Sequence, residues 1–298
     1  MNISVVVSAY NSEDKIADCL TSVQPLDGEV IVIDHDSTDK TGEIARKYAA
    51  HVFKEENNPK EIDIQKNIGF AKATRDWIFS LDADERLTPE LITELKALLK
   101  EEETLPEAGF FIPRKNIIFG KWIEHTGWYP DEQLRLFRRG KGKFQKKHVH
   151  EMLIVDGATG HLTNPMLHEN YDTVSQFLQK HMVLYAPNEA EHLLRSGYIF
   201  SWQDAVRMPM GEFLSRYFAR QGYLDGFHGL MLSLLMAFYH LMIFAFLWEK
   251  HNFTAAEADL SSVSKELLQA GRDTKYWIKK EKADGEQSPI LRKLKKMF

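Results

Sequence analysis

Three short apolar runs constrain this chain more than anything else in it. "ISVVVSAYN", "EVIVID" and "DWIFSLDAD" are rich in β-branched and other apolar residues, and each closes abruptly on polar ones. Runs of this length without alternation predict strands buried on both faces. The stretches between them have helical spacing. "SEDKIADCLTSV" puts Ile16, Leu20 and Val23 on one face, with Ser12 as its candidate cap. "STDKTGEIARKYAA" and "IDIQKNIGFAKAT" read as helices around a third short strand in "HVFKEE". "TPELITELKALLKEE" opens with Thr88 as cap and Pro89 at the first helical position. The β-α-β-α alternation predicts an α/β fold with a doubly wound, mostly parallel sheet. Ligands of such sheets sit beyond the carboxyl ends of the strands. The polar clusters fall there: Tyr10-Asn11, Asp34-His35-Asp36, and Asp82-Ala83-Asp84 followed by Glu85. Three carboxylates at the mouth of a buried strand are costly unless something cationic compensates them.

Beyond about Phe110 the alternation fails. Short β-like runs ("GFFIPRKNIIF", "QLRLFRR", "EMLIV") continue to Leu167, and helical spacing dominates from Tyr171. The expected division is a first domain over 1–170, with a distinct segment from about 110, and a helical region over 171–298. That region contains an almost uncharged segment, 226–248, and ends in a basic tail. The formal net charge of -5 gives no basic field for nucleic acid. With the single cysteine, Cys19, there is no disulfide framework and no cysteine metal cluster. The N-terminus has no basic n-region before its apolar strand, so the expected location is the cytoplasm. Neither a G-x-G-x-x-G after the first strand nor a G-x-x-x-x-G-K-[ST] is present, which argues against a dinucleotide fold and a P-loop ATPase.

Alternate residues of an extended chain point the same way, so Asp82 and Asp84 can face one hard cation. Magnesium or manganese bridging to a diphosphate uses one or two protein carboxylates. "SVVVSAYNSEDKIADCLTSV", "EVIVIDHDSTDKT", "QKNIGFAKATRDWIFSLDADE" and "GWYPDEQLRLFRR" together resemble the family-two inverting glycosyltransferases with the A-type fold. Within that family the chain is most similar to bacterial transferases that add glucose to the lipopolysaccharide inner core, on the strength of "WYPD-x-QLRLF", "VHE" and the C-terminal apolar stretch. The resemblance implies that Ala9, Tyr10 and Asn11 line the nucleotide, that Asp34 bonds the uracil or ribose, and that Lys66 and Asn67 approach base and phosphates. It implies that Asp82 lies near the ribose and that Asp84 ligates Mg2+ or Mn2+. Where the family carries an acidic pair this chain has Asp34-His35, with Asp36 a turn residue or partial replacement.

An inverting transferase needs a general base for the acceptor hydroxyl. The resemblance places it at Asp131, with Glu132 the weaker choice. Arg135, Arg138 and Arg139 are candidates to neutralise a diphosphate or a phosphorylated acceptor. In "KKHVHE", which also offers His148 and Glu151, His150 is a candidate metal ligand or a donor to the diphosphate. For 226–248 the readings are a helix lying in a leaflet, a buried helix or contact with a second copy, and a true span. The leaflet reading places Leu230, Leu234, Leu235, Phe238, Leu241, Phe244 and Leu247 in lipid, aided by Lys279, Lys280, Arg292, Lys293, Lys295 and Lys296. The expected protein is a peripheral enzyme on the inner face of the cell membrane. It would move a hexose, first of all glucose, from a UDP-sugar to a lipid-linked saccharide such as lipopolysaccharide core. The alternatives are transfer to polyprenyl phosphate, a sugar nucleotidyltransferase, and a non-catalytic membrane scaffold.

Overall fold

The computed structural model describes residues 1–48, 51–58, 61–147, 150–254 and 257–287, excluding the side chains of 62, 146–147, 150–151 and 284–287. The chain divides into two units. One holds Met1–Trp122 and Tyr129–Asp172; the other holds Ile123–Trp128 and the chain from Thr173 onward.

In the first unit the three apolar runs form β1 (Ile3–Ala9), β2 (Glu29–Asp34) and β4 (Trp77–Asp82), and β3 (His51–Lys54) follows β2. They pair in parallel in the order β3-β2-β1-β4. The crossovers are α1 (Ile16–Val23), α2 (Thr41–Tyr48) and α3 (Ile62–Lys72). Beyond β4 the sheet is mixed. β8 (Asp131–Arg138) runs antiparallel to β4 and to β6 (Gly109–Ile118), and β12 (Met166–Tyr171) runs parallel to β6. The short β5 (Glu85–Leu87) closes the order antiparallel to β12, and β7 (Lys121–Trp122) and β11 (Thr159–His161) flank β6. A separate hairpin joins β9 (Gly142–Lys147) and β10 (His150–Val155).

Residue alternation sends the two faces of the central strands to different cores. Val5, Val7, Trp77, Phe79 and Leu81 pack with Ile16, Leu20, Val23, Leu91 and Leu95, the last two from α4 (Pro89–Leu98). Val6, Ile31, Ile33 and Ile78 pack with Phe70 of α3 and Phe137, against Phe144, Leu153 and Val155 of the hairpin. Thr88 caps α4, accepting the Leu91 N–H, with Pro89 behind it. Ser12 does not cap α1. The helix starts later, at Ile16, and the Ser12 backbone N–H is given instead to Thr41 Oγ1. The tie draws the β1 and β2 strand ends together.

The second unit is helical: α5 (Val174–Gln179), a π-helical stretch over 180–185, α6 (Ala186–Arg195), α7 (Asp204–Leu214), α8 (Phe227–Lys250) and α9 (Leu260–Gln287). Ile243 and Leu247 of α8 pack on Ala186 and Ala190 of α6. Gly229 lets the first turn of α8 meet the Gly222–Asp225 turn, because a Cβ there would lie 1.8 Å from the Gly222 carbonyl oxygen. Phe244 and Leu247, expected in lipid, are core residues, whereas Leu234, Phe238 and Leu241 are exposed. Helix α8 is long and apolar enough to cross a membrane, and a third of its most apolar window is buried. Segment 123–128 is anchored here. Asp225, buried, accepts the backbone N–H groups of Glu124 and His125 and the hydroxyl of Thr126.

Candidate functional site

The parallel strands β1, β2 and β4 end at one edge of the first unit. A cleft of about 320 Å³ opens there, lined by Ser8, Tyr10, Ser12, His35, Asn57, Gln65, Asp82, Ala83 and Asp84. Tyr10 exposes half of its surface, while Ala9 and Asp34 are buried. Asp34 Oδ1 accepts the Ser37 N–H, and its Oδ2 abuts Gly42, where a Cβ would approach to 2.4 Å. Asn11, in a left-handed conformation, accepts the Thr38 N–H. His35 stands where an acidic residue was expected. Burial pushes its imidazole below the ordinary value, and Nε2 pairs with Ser8 Oγ at 3.0 Å. Asp36 is paired with Lys54 at the surface, so it does not replace the missing carboxylate in the cleft.

The carboxylates of "DADE" are compensated by an alternating chain of charges. Lys66 Nζ, buried, lies 2.7 Å from Asp63 and 2.6 Å from Asp82 Oδ1. Arg135, 4% exposed, donates Nη2 to Asp82 Oδ2 at 2.8 Å and to the fully buried Glu85. Arg114 bridges Glu85 to Asp131. Although burial alone would raise it, Asp82 is held far below the usual carboxylate range by Lys66 and Arg135. Asp131 is likewise held low against burial, by the Arg114 guanidinium and by the amides of Asn116 and Gln133. Three cations thus face four carboxylates, and Asp84 adds a fifth at the cleft end of the chain.

Asp84 lies opposite His168 of β12, with Oδ2 and Nε2 3.7 Å apart. That is too long for a hydrogen bond, yet within reach of one cation, whose bonds to such ligands are about 2.1 Å. The Nδ1 of His168 meets Asn116 Oδ1 at 2.7 Å, the outer contact expected of a metal-binding imidazole. Among the described residues no group of three His, Cys, Asp or Glu side chains gathers as a metal cluster. A carboxylate and an imidazole are donors that a divalent cation can take beside substrate phosphate oxygens. The side chain of His150, and His148, lie outside the described residues.

A second cleft, of about 390 Å³, meets the first at Asp82. Lys66, Arg114, Gln133, Arg135 and Phe144 are among its walls. Asp131 borders it through its partners. Oδ2 takes Arg114 Nε at 3.0 Å and Asn116 Nδ2 at 3.1 Å, and Oδ1 takes Gln133 Nε2 at 2.9 Å. Two expected ligand contacts are instead used internally. Asn67 exchanges two hydrogen bonds with the Phe144 backbone, pinning β9, and Arg135 gives its charge to Asp82 and Glu85. Arg138 reaches backbone carbonyls of 102, 105 and 107, and Arg139 lies beside Asp76 at the surface. Glu132 pairs with His161. Sequence reasoning missed Arg114, Asn116 and His168. Each is a polar residue inside a strand; for Arg114 and Asn116 the apolar positions around them in "FFIPRKNII" were the only signal that "RKN" is not a solvated edge, and His168 lies in "MLHENY" of β12.

Residues 4–157 match Glycosyl transferase family 2. Over 258 residues the chain is 25% identical to the lipopolysaccharide core biosynthesis glycosyltransferase LpsC of Rhizobium meliloti, covering 85% of this chain and 94% of that relative. An uncharacterised glycosyltransferase of Rickettsia typhi is also 25% identical, covering 92% of this chain and 98% of its own. Among solved structures, the mannosyltransferase PcManGT of Pyrobaculum calidifontis in complex with GDP-Man and Mn2+ is 15% identical, with a TM-score of 0.46, covering 99% of this chain and 83% of that one.

Proposed function

The chain belongs to glycosyl transferase family 2, and from that premise we propose that it transfers glucose from UDP-glucose, with inversion, to a saccharide of a lipid-linked glycan of the lipopolysaccharide-core kind. The observation that carries the reading is the cleft end of the charge chain. There Asp84 Oδ2 and His168 Nε2 face each other 3.7 Å apart beside the strand ends that line the cleft, an oxygen and a nitrogen donor at the mouth where a nucleotide diphosphate would lie.

The nucleotide lies in the 320 Å³ cleft against Tyr10, with Ala9, Asn11 and Asp34 at the β1 and β2 strand ends beside it. Lys66 and Asp82 border the ribose and diphosphate. Asp84 and His168 would hold a divalent cation, which would supply charge neutralisation for the departing diphosphate. The acceptor approaches Asp131 from the second cleft. Oδ1, the edge not clamped by Arg114, takes the proton as the hydroxyl oxygen attacks the anomeric carbon and the UDP oxygen leaves. No covalent enzyme intermediate is formed. A lipid-linked acceptor fits a protein that sits on a membrane surface. Phe227, Met231, Leu234, Phe238, Leu241 and Trp248 form an exposed apolar stripe along α8, at the spacing of one helix face. Lys279 and Lys280 of α9 are basic groups for anionic headgroups, and Arg292 to Lys296 lie outside the described residues.

The test is a panel of UDP-sugars assayed for transfer to lipopolysaccharide core acceptors with Mn2+ or Mg2+, beside Asp84→Ala. UDP-glucose should be the productive donor, and Asp84→Ala should remove turnover and metal-dependent UDP binding with the circular dichroism unchanged. UDP affinity indifferent to a chelator, or label appearing in polyprenyl phosphate instead of core saccharide, would refute the corresponding part.

A further inference from the structure

We propose that Asn116 is a positioning residue that sets both halves of this site: its amide determines which nitrogen His168 offers toward Asp84 and which edge of Asp131 is left for the acceptor. The inference rests on the reading of the site as a metal-dependent transferase centre and goes beyond it by assigning a role to a buried side chain in neither substrate cleft.

Asp131, held low in pKa beside the Arg114 guanidinium, is a carboxylate that can only accept, so the Asn116 atom 3.1 Å from its Oδ2 is the amide nitrogen. That choice fixes the other end of the amide as the oxygen. Asn170 Nδ2 donates to the same oxygen at 3.1 Å. The ring nitrogen of His168 2.7 Å from Asn116 Oδ1 must then carry its proton. A neutral imidazole protonated at Nδ1 presents its Nε2 lone pair, and Nε2 is the atom facing Asp84 Oδ2 at 3.7 Å. A divalent cation between that lone pair and the Asp84 carboxylate would take both as ligands. Asn116 is completely buried and the side chain of His168 nearly so, so water does not compete for the orientation. On the other side, the same amide joins Arg114 on Oδ2 of Asp131, which leaves Oδ1 as the edge toward incoming substrate.

Three measurements test this. In 15N-histidine-labelled wild type free of metal, His168 should be protonated at Nδ1; an Nε2-protonated ring would overturn the proposal, without needing any variant to fold. Binding of Mn2+ in the presence of UDP, followed by the paramagnetic resonance of free Mn2+, should weaken about 10–100-fold in Asn116→Ala, the loss typical of removing an outer-shell partner. Asn116→Asp retains an acceptor for His168 but sets a second carboxylate against Asp131. It should bind Mn2+ nearly as wild type does while transfer collapses. A merely structural role predicts equal loss of Mn2+ binding in both variants, and that result would overturn the proposal. Wild type that binds no Mn2+ with UDP present would instead refute the metal reading beneath it. Loss in His168→Ala with normal binding in Asn116→Ala refutes the role of Asn116 alone.

Discussion

Replacing Arg135 with methionine should destabilise the sheet-bearing unit by about 3 kcal/mol. The side chain is 4% exposed, and its Nη2 bridges Asp82 Oδ2 and Glu85 Oε1, the latter on a residue with no exposed surface. Methionine keeps the unbranched stem, so packing is largely retained and the loss is electrostatic. Removing one partner from a buried charge cluster costs about 3–5 kcal/mol, because the carboxylates stay behind uncompensated. Lys66 still holds Asp82 at 2.6 Å and Arg114 still holds Glu85 at 3.1 Å, which places the value at the lower end. At 1.4 kcal/mol per tenfold, that is about a hundredfold rise in the opening equilibrium. Amide hydrogen exchange on peptides covering β4 and β8 reads it directly. The sign with pH follows from Asp82. Its folded-state value is depressed, so its stabilisation is present above the unfolded value of about 3.9 and is lost as pH falls below it. The deficit of the variant should therefore be equal at pH 6 and pH 8 and should narrow only below about pH 4. Adding Glu85→Gln to the variant should restore part of the loss. Less than a tenfold change in protection at β4 and β8 would refute the account of the charge chain.

Asp131→Asn should leave UDP affinity nearly unchanged and cut transfer by about 10²–10⁴-fold; with Asp131 held below the usual carboxylate range, the wild-type rate should show no acid limb from this group above about pH 4. His181, buried and stacked on Phe177 at 3.9 Å, is pushed by burial down to about 4. The helical unit should be fully stable above about pH 6.5 and lose up to about 3 kcal/mol as pH falls toward 4, a loss that His181→Phe removes in urea titrations at pH 7.5 and 4.5. The protein should sediment with anionic liposomes at low salt, and the double change Leu234→Glu, Phe238→Glu should abolish this with the fold intact, since both positions are exposed. A monodisperse wild type that ignores such vesicles would refute the membrane assignment.

The strands and their order of appearance were legible because each is a local pattern. β1, β2 and β4 are uninterrupted apolar runs, and α4 carries its cap and proline in adjacent positions. The charge chain was half legible. Asp82, Asp84, Lys66 and Arg135 drew attention singly, but which cation answers which carboxylate is decided by pairings 50 residues apart, as between Arg135 and Glu85. The β5–β12 contact, which brings His168 opposite Asp84, joins a three-residue strand to one about eighty positions later. No periodicity announces it. The residues of α8 expected in lipid were misjudged at Phe244 and Leu247, which are buried in the protein, because a helix apolar on every side does not declare which face meets protein.

Asp225 closes on Thr126 across 99 positions. Vectorial synthesis therefore delivers segment 123–128 long before its anchor exists. At about 5–20 residues per second, that interval is roughly 5–20 s on the ribosome. During it the strip just upstream of Asp131 lacks the carboxylate that gathers its three donors in the folded protein. A nascent chain arrested before residue 225 should carry a formed β1–β4 sheet and an unanchored approach to β8, and a fragment ending at residue 172 should keep that defect permanently. The chain enters the helical unit over Ile123–Trp128 before its sheet is complete, so a single cut after residue 172 does not separate the residues of the two units.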